Sequence, residues 1–436
     1  MRLFFSTIGV LVLLAGCGGG GGAGTPVTGP GAVAIETSVA IAPAPAVSIA
    51  PASVAVSSHN NCIVKPALVP GKYRSAIMDM RFDQLTDLTA EGLMVSSYRA
   101  VVPIIDKINC VGFDTVVFQT NIPIDIATGN IQLYDANPVG ANRDKSLPKD
   151  FWPLVEYAKS KGLRVFVKAI PVNYVSDNVI GIGFTNPALA LPSTFSTSQF
   201  FKSIESYEVQ LATQAEKYKV DGFYVGSTNV GLDDNPYSAN WDQVISSIKS
   251  VYTGKLIYES CDRCNNVVWK KVDLVAVGIG DAIAGISGDS IAQILNDNIA
   301  NRLIVNIQNI AIRYQKPILL DAVVVGATGK ADDLWGMLNS NQLTYTNVQP
   351  NYNLQAIKIS AVFELMGARL NNTVNGVQWS EYMPWVRATW ILNPRTTQQW
   401  NWHCTMLYGV SLYENESAQA KISDYLKRPW GYKTVN

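Results

Sequence analysis

The chain has 436 residues, with 34 Lys and Arg against 34 Asp and Glu. A formal net charge of zero lacks the basic footprint of a nucleic-acid binder, and only two histidines, His59 and His403, argue against a His-rich metal centre or a Ser–His–Asp triad. Apolar residues at 48% against 16% charged exclude disorder over the whole length and suit a neutral, aromatic-rich globular protein.

The chain opens with Met1-Arg2 and an apolar run from Leu3 to Leu14. That run is too short to span a bilayer, which needs about 20 residues, and reads as a signal peptide over 1–16. Leu14-Ala15-Gly16-Cys17 resembles a bacterial lipobox, so Cys17 is expected to carry the lipid of a mature lipoprotein. Two or three acyl chains anchor stably where one does not. Gly18, with no Asp after the cysteine, points by analogy to sorting to the outer membrane. Residues 17–58 are a low-complexity Gly/Ala/Val/Pro tract with Glu36 as its charge, an extended tether and not a packed unit.

Beyond the lipid-bearing Cys17 the chain has Cys62, Cys110, Cys261, Cys264 and Cys404. Export implies an oxidising compartment. Cys261-Asp262-Arg263-Cys264 is expected to close on itself as a structural bridge, and Cys62 to pair with Cys110, which leaves Cys404 over. Without a second CxxC or a nearby histidine, no metal is expected there.

From about residue 70, short apolar runs alternate with helical periodicity. The predicted strands are Ser75–Met80, Thr115–Gln119, Arg164–Ile170, Gly222–Gly226, Lys255–Glu259, Leu274–Val277, Pro317–Val323 and Gly376–Trp379. Runs such as Thr115-Val116-Val117-Phe118 suit parallel strands buried on both faces. Helices are predicted at Phe151–Ser160, Ser198–Tyr218, Trp241–Val251, Ile291–Tyr314 and Leu354–Leu370, the first stopped by the Lys161-Gly162 cap. This alternation predicts an α/β fold, a single (β/α)8 TIM barrel over 59–436. An open doubly wound sheet is the rival, but Met78-Asp79-Met80-Arg81 lacks the glycine fingerprint expected after its first strand.

A barrel keeps its function where strands end. Those ends supply Asp79 and Asp83, Gln119 and Asn121, Lys168 and Asn173, Thr228 and Asn229, Glu259 and Asp262, Asp281, Asp321 and Glu381. Amides and carboxylates in such number suit a polyhydroxylated ligand with both donors and acceptors. Trp379, Trp385, Trp390, Trp400 and Trp402 crowd the segment from the last strand onward, and indole faces stack on sugar rings. Gln119, Asn121, Lys168, Asn229, Asp281, Trp379 and Trp385 are therefore the expected glycan-binding residues, with no cofactor. Asp233-Asp234 reads as a turn cap or a weak cation site.

Several stretches resemble the clan A glycoside hydrolase barrels, most closely the family 113 endo-β-mannanases. They are Gly162-Leu163-Arg164-Val165-Phe166-Val167-Lys168, Lys219-Val220-Asp221-Gly222-Phe223-Tyr224-Val225-Gly226, Trp241 to Glu259, Trp269 to Ala282, and Lys316-Pro317-Ile318-Leu319-Leu320. The resemblance implies an acid/base carboxylate after strand four and a nucleophile on strand seven, ~5–5.5 Å apart in a retaining enzyme. Here strand four runs into Gly226-Ser227-Thr228-Asn229, and the strand-seven position falls on Ala322, beside Asp321. The expectation is a lipid-anchored, hydrolase-like protein that binds a neutral polysaccharide and lacks the usual pair. The alternatives are an active glycosidase with a relocated pair among Glu259, Asp321 and Glu381, and a structural envelope lipoprotein.

Overall fold

The computed structural model describes residues 68–79, 97–125, 127–131, 151–173, 193–227, 232–264, 266–279, 290–323, 352–370, 373–379 and 416–427. The expected signal and tether lie outside them. Among the described residues no helix is long and apolar enough to cross a membrane.

Strands β1 (Tyr73–Asp79), β2 (Thr115–Asp125), β4 (Arg164–Asn173), β5 (Gly222–Ser227), β6 (Lys255–Cys261), β7 (Leu274–Gly278), β8 (Ile318–Val323) and β9 (Val374–Trp379) form one parallel sheet. β1 pairs with both β9 and β2, which closes the sheet into a barrel and excludes the open-sheet alternative. The two-residue β3 (Asn130–Ile131) is appended antiparallel to the end of β2. All the strands predicted from apolar runs form; β2 runs six residues past its expected end at Gln119, and the others lie within about three residues of their expected limits.

Around the barrel lie α1 (Ser97–Val111), α2 (Phe151–Ser160), α3 (Thr197–Lys217), α4 (Ser238–Lys249), α5 (Ile291–Leu295), α6 (Asn298–Tyr314), α7 (Tyr352–Arg369) and α8 (Glu416–Leu426). α2 ends as expected: Gly162 takes φ +75°, and Leu163 N–H returns to the Ala158 carbonyl. The single helix expected over Ile291–Tyr314 is two. Ser290 and Gln293 form a capping box that starts α5, and Asp297 caps α6 through Ile299 N–H, so the chain restarts its helix after Asn296.

Alternation along the strands sorts the core into two shells. Inside the barrel pack Tyr73, Ile77, Val117, Phe166, Tyr224, Ile257, Leu274, Ala276 and Leu319. Outside, between strands and helices, lies the larger shell, which includes Phe118, Val165, Phe223, Trp241, Tyr258 and Trp269. Gly222 and Gly376 face the bulky interior residues because nothing larger fits. A Cβ on Gly222 would stand 2.6 Å from Phe166 Cδ1, and one on Gly376 would stand 2.8 Å from Leu319 Cδ2.

The strand starts carry a repeated fastening. Asp114, Asp221 and Asp273 each sit just before a strand and accept from a backbone N–H of the neighbouring strand, at Arg74, Val165 and Leu256, each at 2.9 Å. The same three residues return their own N–H to the carbonyls of those residues. Arg164 adds an ion pair to Asp114 at 2.7 Å and lies over the Tyr73 ring at 4.5 Å. These polar groups are matched in pairs at the end of a barrel that supports the fold.

Candidate functional site

At the opposite end, strand alternation brings five polar side chains from five strands into the barrel interior. Lys168 on β4 is the hub. Its Nζ lies 2.7 Å from Glu259 Oε2 on β6 and 3.1 Å from Asp321 Oδ2 on β8. Sharing one ammonium keeps the two carboxyl oxygens within about 6 Å of each other, the scale of a retaining pair at ~5–5.5 Å.

Asp321 is saturated by donors. The Tyr224 hydroxyl donates to Oδ2 at 2.8 Å, and the Gln378 amide, its nitrogen facing the carboxylate, donates to Oδ1 at 3.0 Å. Lys168 also stands 5.2 Å from the centre of the Tyr224 ring. Exposure is 1% at Lys168, 4% at Glu259 and 0% at Asp321. Burial raises Asp321 to about 6; Lys168 pulls against that shift, and the Glu259 charge adds to it. Burial opposes the Lys168 charge, but Asp321 and Glu259 together hold its pKa above the ordinary lysine value. Tyr224 is driven well above the usual phenol range, first by burial and then by Asp321.

Glu259 has its own supports. Ser227 Oγ donates to Oε2, and Gly278 leaves room for the carboxylate, since a Cβ there would stand 2.9 Å from Oε1. Ser227 faces inward because β5 slips register against β6 between Tyr224 and Ser227. Gly226 takes φ +73° at that slip, a backbone state suited to glycine, and the extra residue turns the next side chain over.

The expected site residues divide. Lys168, Glu259 and Asp321 come together. Gln119 is buried on β2, level with Asp79 on one side and Lys168 on the other. Asn121 lies farther along β2, opposite Ile170, and nothing is described of its side chain. Asn229, Asp281, Glu381 and Trp385 lie outside the described residues, as do Cys17 and Cys62.

Two expectations are corrected. The inward register of β8 belongs to Leu319 and Asp321, so the carboxylate itself takes the interior position that the sequence reading gave to 322. Trp379 does not face a ligand: Gln378 turns inward, and Trp379 is 1% exposed against Phe363 in the outer shell, ring centres 5.2 Å apart. Cys261 and Cys264 are bonded as expected, just past Glu259 on β6. Cys110 is also in a disulfide, its partner outside the described residues.

The sequence reading passed over Tyr224, Ser227 and Gln378. Period-2 alternation from the inward-facing Gly222 and Gly376 would have picked out Tyr224 and Gln378, whereas Ser227 needed the bulge.

Asp233 is neither a turn cap nor a surface cation site. It is buried, and its Oδ2 accepts from Tyr258 at 3.1 Å and Ser260 at 3.4 Å on the outer face of β6. Burial pushes it up to about 7, and the adjacent Asp234 adds to the shift. An acid raised in the fold binds its proton there while the unfolded chain has lost it. Its stabilising contribution is therefore complete below about pH 4 and lost as pH rises through about 7, with a slope of up to ~1.4 kcal/mol per pH unit. Asp233→Asn should flatten that part of the pH dependence in urea denaturation. The Asp321 contribution has the same sign and remains in the variant, so the difference between the two slopes is the readout. Equal slopes would refute the assignment.

Comparison with known proteins agrees with this architecture. The model of Glycoside Hydrolase Family 113 matches residues 140–359, half of the chain. Among solved structures, a complex of a family 113 β-1,4-mannanase superimposes with a TM-score of 0.55 at 16% identity, covering 82% of this chain and 99% of that one. The family 113 β-mannanase of Alicyclobacillus acidocaldarius, in complex with ManMIm, gives 0.53 at 15% identity, covering 82% and 97%. A family 5 mannosidase from Rhizomucor miehei, in complex with mannosyl-fructose, gives 0.51 at 11% identity, covering 82% and 93%. No curated protein sequence matches the chain. The family match over half of its length, on an eight-stranded parallel barrel, places the chain in glycoside hydrolase family 113.

Proposed function

We propose that this protein is a lipid-anchored glycan receptor of the cell envelope, a hydrolase barrel that holds a neutral polysaccharide without cutting it. The observation that carries the reading is the Lys168 ammonium set between Glu259 and Asp321. A nucleophile must offer a carboxylate oxygen to the anomeric carbon, and an acid must offer a proton to the leaving oxygen. Asp321 gives Oδ2 to Lys168 and Tyr224 and Oδ1 to Gln378, so both of its oxygens are already engaged. Two carboxylates against one ammonium also disfavour an acidic glycan. The mannan-type ligands named for the similar structures make a β-1,4-mannan the first ligand to try. Acylation at Cys17 and the tether over 17–58 would hold the barrel off the outer membrane.

The second reading, an active glycosidase, is favoured by the spacing of Glu259 and Asp321. The full chain is to be incubated with β-1,4-mannan and with β-glucan, following both retention of polysaccharide and new reducing ends. The expected result is retention without new ends, with retention lost in Trp385→Ala. New reducing ends that disappear in Glu259→Gln or Asp321→Asn would replace the receptor with the enzyme.

A further inference from the structure

The apolar stripe of α3 is interrupted by one carboxylic acid. Ile204, Leu211, Ala212 and Ala215 face the barrel wall, and Glu208 stands among them, a turn from Ile204 on one side and from Leu211 and Ala212 on the other. Its exposure is 0%, and neither oxygen makes a hydrogen bond of normal geometry. The polar group on its side is the Gly226 N–H at the end of β5. Burial without a cation pushes the carboxyl well above its usual range. An ionised carboxylate in that position would cost far more than a neutral one.

We infer that Glu208 is a positioning residue: a carboxyl lodged behind β5, facing the Gly226 N–H and holding the bulge that turns Ser227 toward Glu259. The geometry explains an acid in an otherwise apolar stripe. A leucine there would complete the helix face but leave the bulged peptide with no acceptor on its outer side. The effect on ligand rests on the receptor reading above; the effect on the bulge does not.

The test compares Glu208→Leu and Glu208→Gln in the full chain by amide hydrogen exchange in peptides covering residues 222–227, alongside retention of β-1,4-mannan. Glu208→Leu should speed exchange at Gly226 and Ser227 about tenfold, because the buried N–H then faces no acceptor, while keeping the parent thermal midpoint. Glu208→Gln, equally uncharged and still an acceptor, should restore the parent exchange rate. Mannan retention should follow the same order, weakened in the leucine variant and kept in the glutamine one. Parent-rate exchange in Glu208→Leu would overturn the inference, as would exchange in Glu208→Gln as fast as in the leucine variant. A parent chain that retains no mannan would remove the receptor reading and leave the exchange result to decide Glu208.

Discussion

Lys168→Met should destabilise the fold by ~3–5 kcal/mol, the cost of breaking a buried ion pair by removing one partner. Two carboxylates lose the same cation here, so the upper part of that range is expected. Methionine fills much of the volume, so the loss measures charge and hydrogen bonding and not a cavity. Asp321, already raised to about 6 with the cation present, would take up a proton at still higher pH, and the variant should lose stability more steeply than the parent toward alkaline pH. Adding Glu259→Gln and Asp321→Asn should restore most of the loss, because amides can bond one another without a counterion. Urea denaturation of the single and triple variants checks both steps. A single-variant cost below ~1 kcal/mol would mean that Lys168 is solvated and the carboxylates free.

Trp241→Ala is expected to cost ~3–5 kcal/mol from lost packing alone. The indole is fully buried between Phe201 and Tyr258, with ring centres at 5.5 and 5.7 Å. Its Nε1–H donates to the Leu232 carbonyl at 2.8 Å, and Leu232 is itself buried, so truncation also strands that acceptor. Trp241→Phe separates the two effects: it keeps much of the ring contact and should lose ~1–3 kcal/mol, the cost of the orphaned carbonyl. Chemical denaturation measures both. Because Leu232 lies in the connection between β5 and α4 and is held there by the indole N–H, the alanine variant should also open that connection to limited proteolysis. Equal stability of the two variants would refute this division.

What the sequence revealed follows from how each feature is encoded. The barrel strands stood out because both of their faces are buried, and continuous runs such as Val116-Val117-Phe118 have no other economical reading. The helix Ser97–Val111 escaped prediction: Pro103 and the β-branched Val101, Val102, Ile104 and Ile105 weigh against a helix, yet the buried Val101, Ile104, Ile105 and Ile108 hold it to the barrel. The site was half legible. Residues at strand ends are easy to collect, but which of two neighbours points inward depends on a register that one bulge can shift. At Gly226 the shift brought in Ser227, and on β8 it is Asp321 that points inward. Trp379 was misread because composition counts tryptophans without saying which shell they fill. Glu208 was hidden by the strength of its own helix: Phe201, Ile204, Leu211 and Ala215 define the stripe so well that the exception among them draws no notice.

The aspartates before β2, β5 and β7 have a consequence for how this family can diverge. They bolt the strands together at the floor, at the far end of the strands that carry Lys168 and Glu259. Substitutions that far apart, with no shared partners, combine almost independently. Mutational drift in the upper layer can therefore strip or restore chemistry without loosening the foundation, so a lineage can abandon hydrolysis and still inherit a sound scaffold.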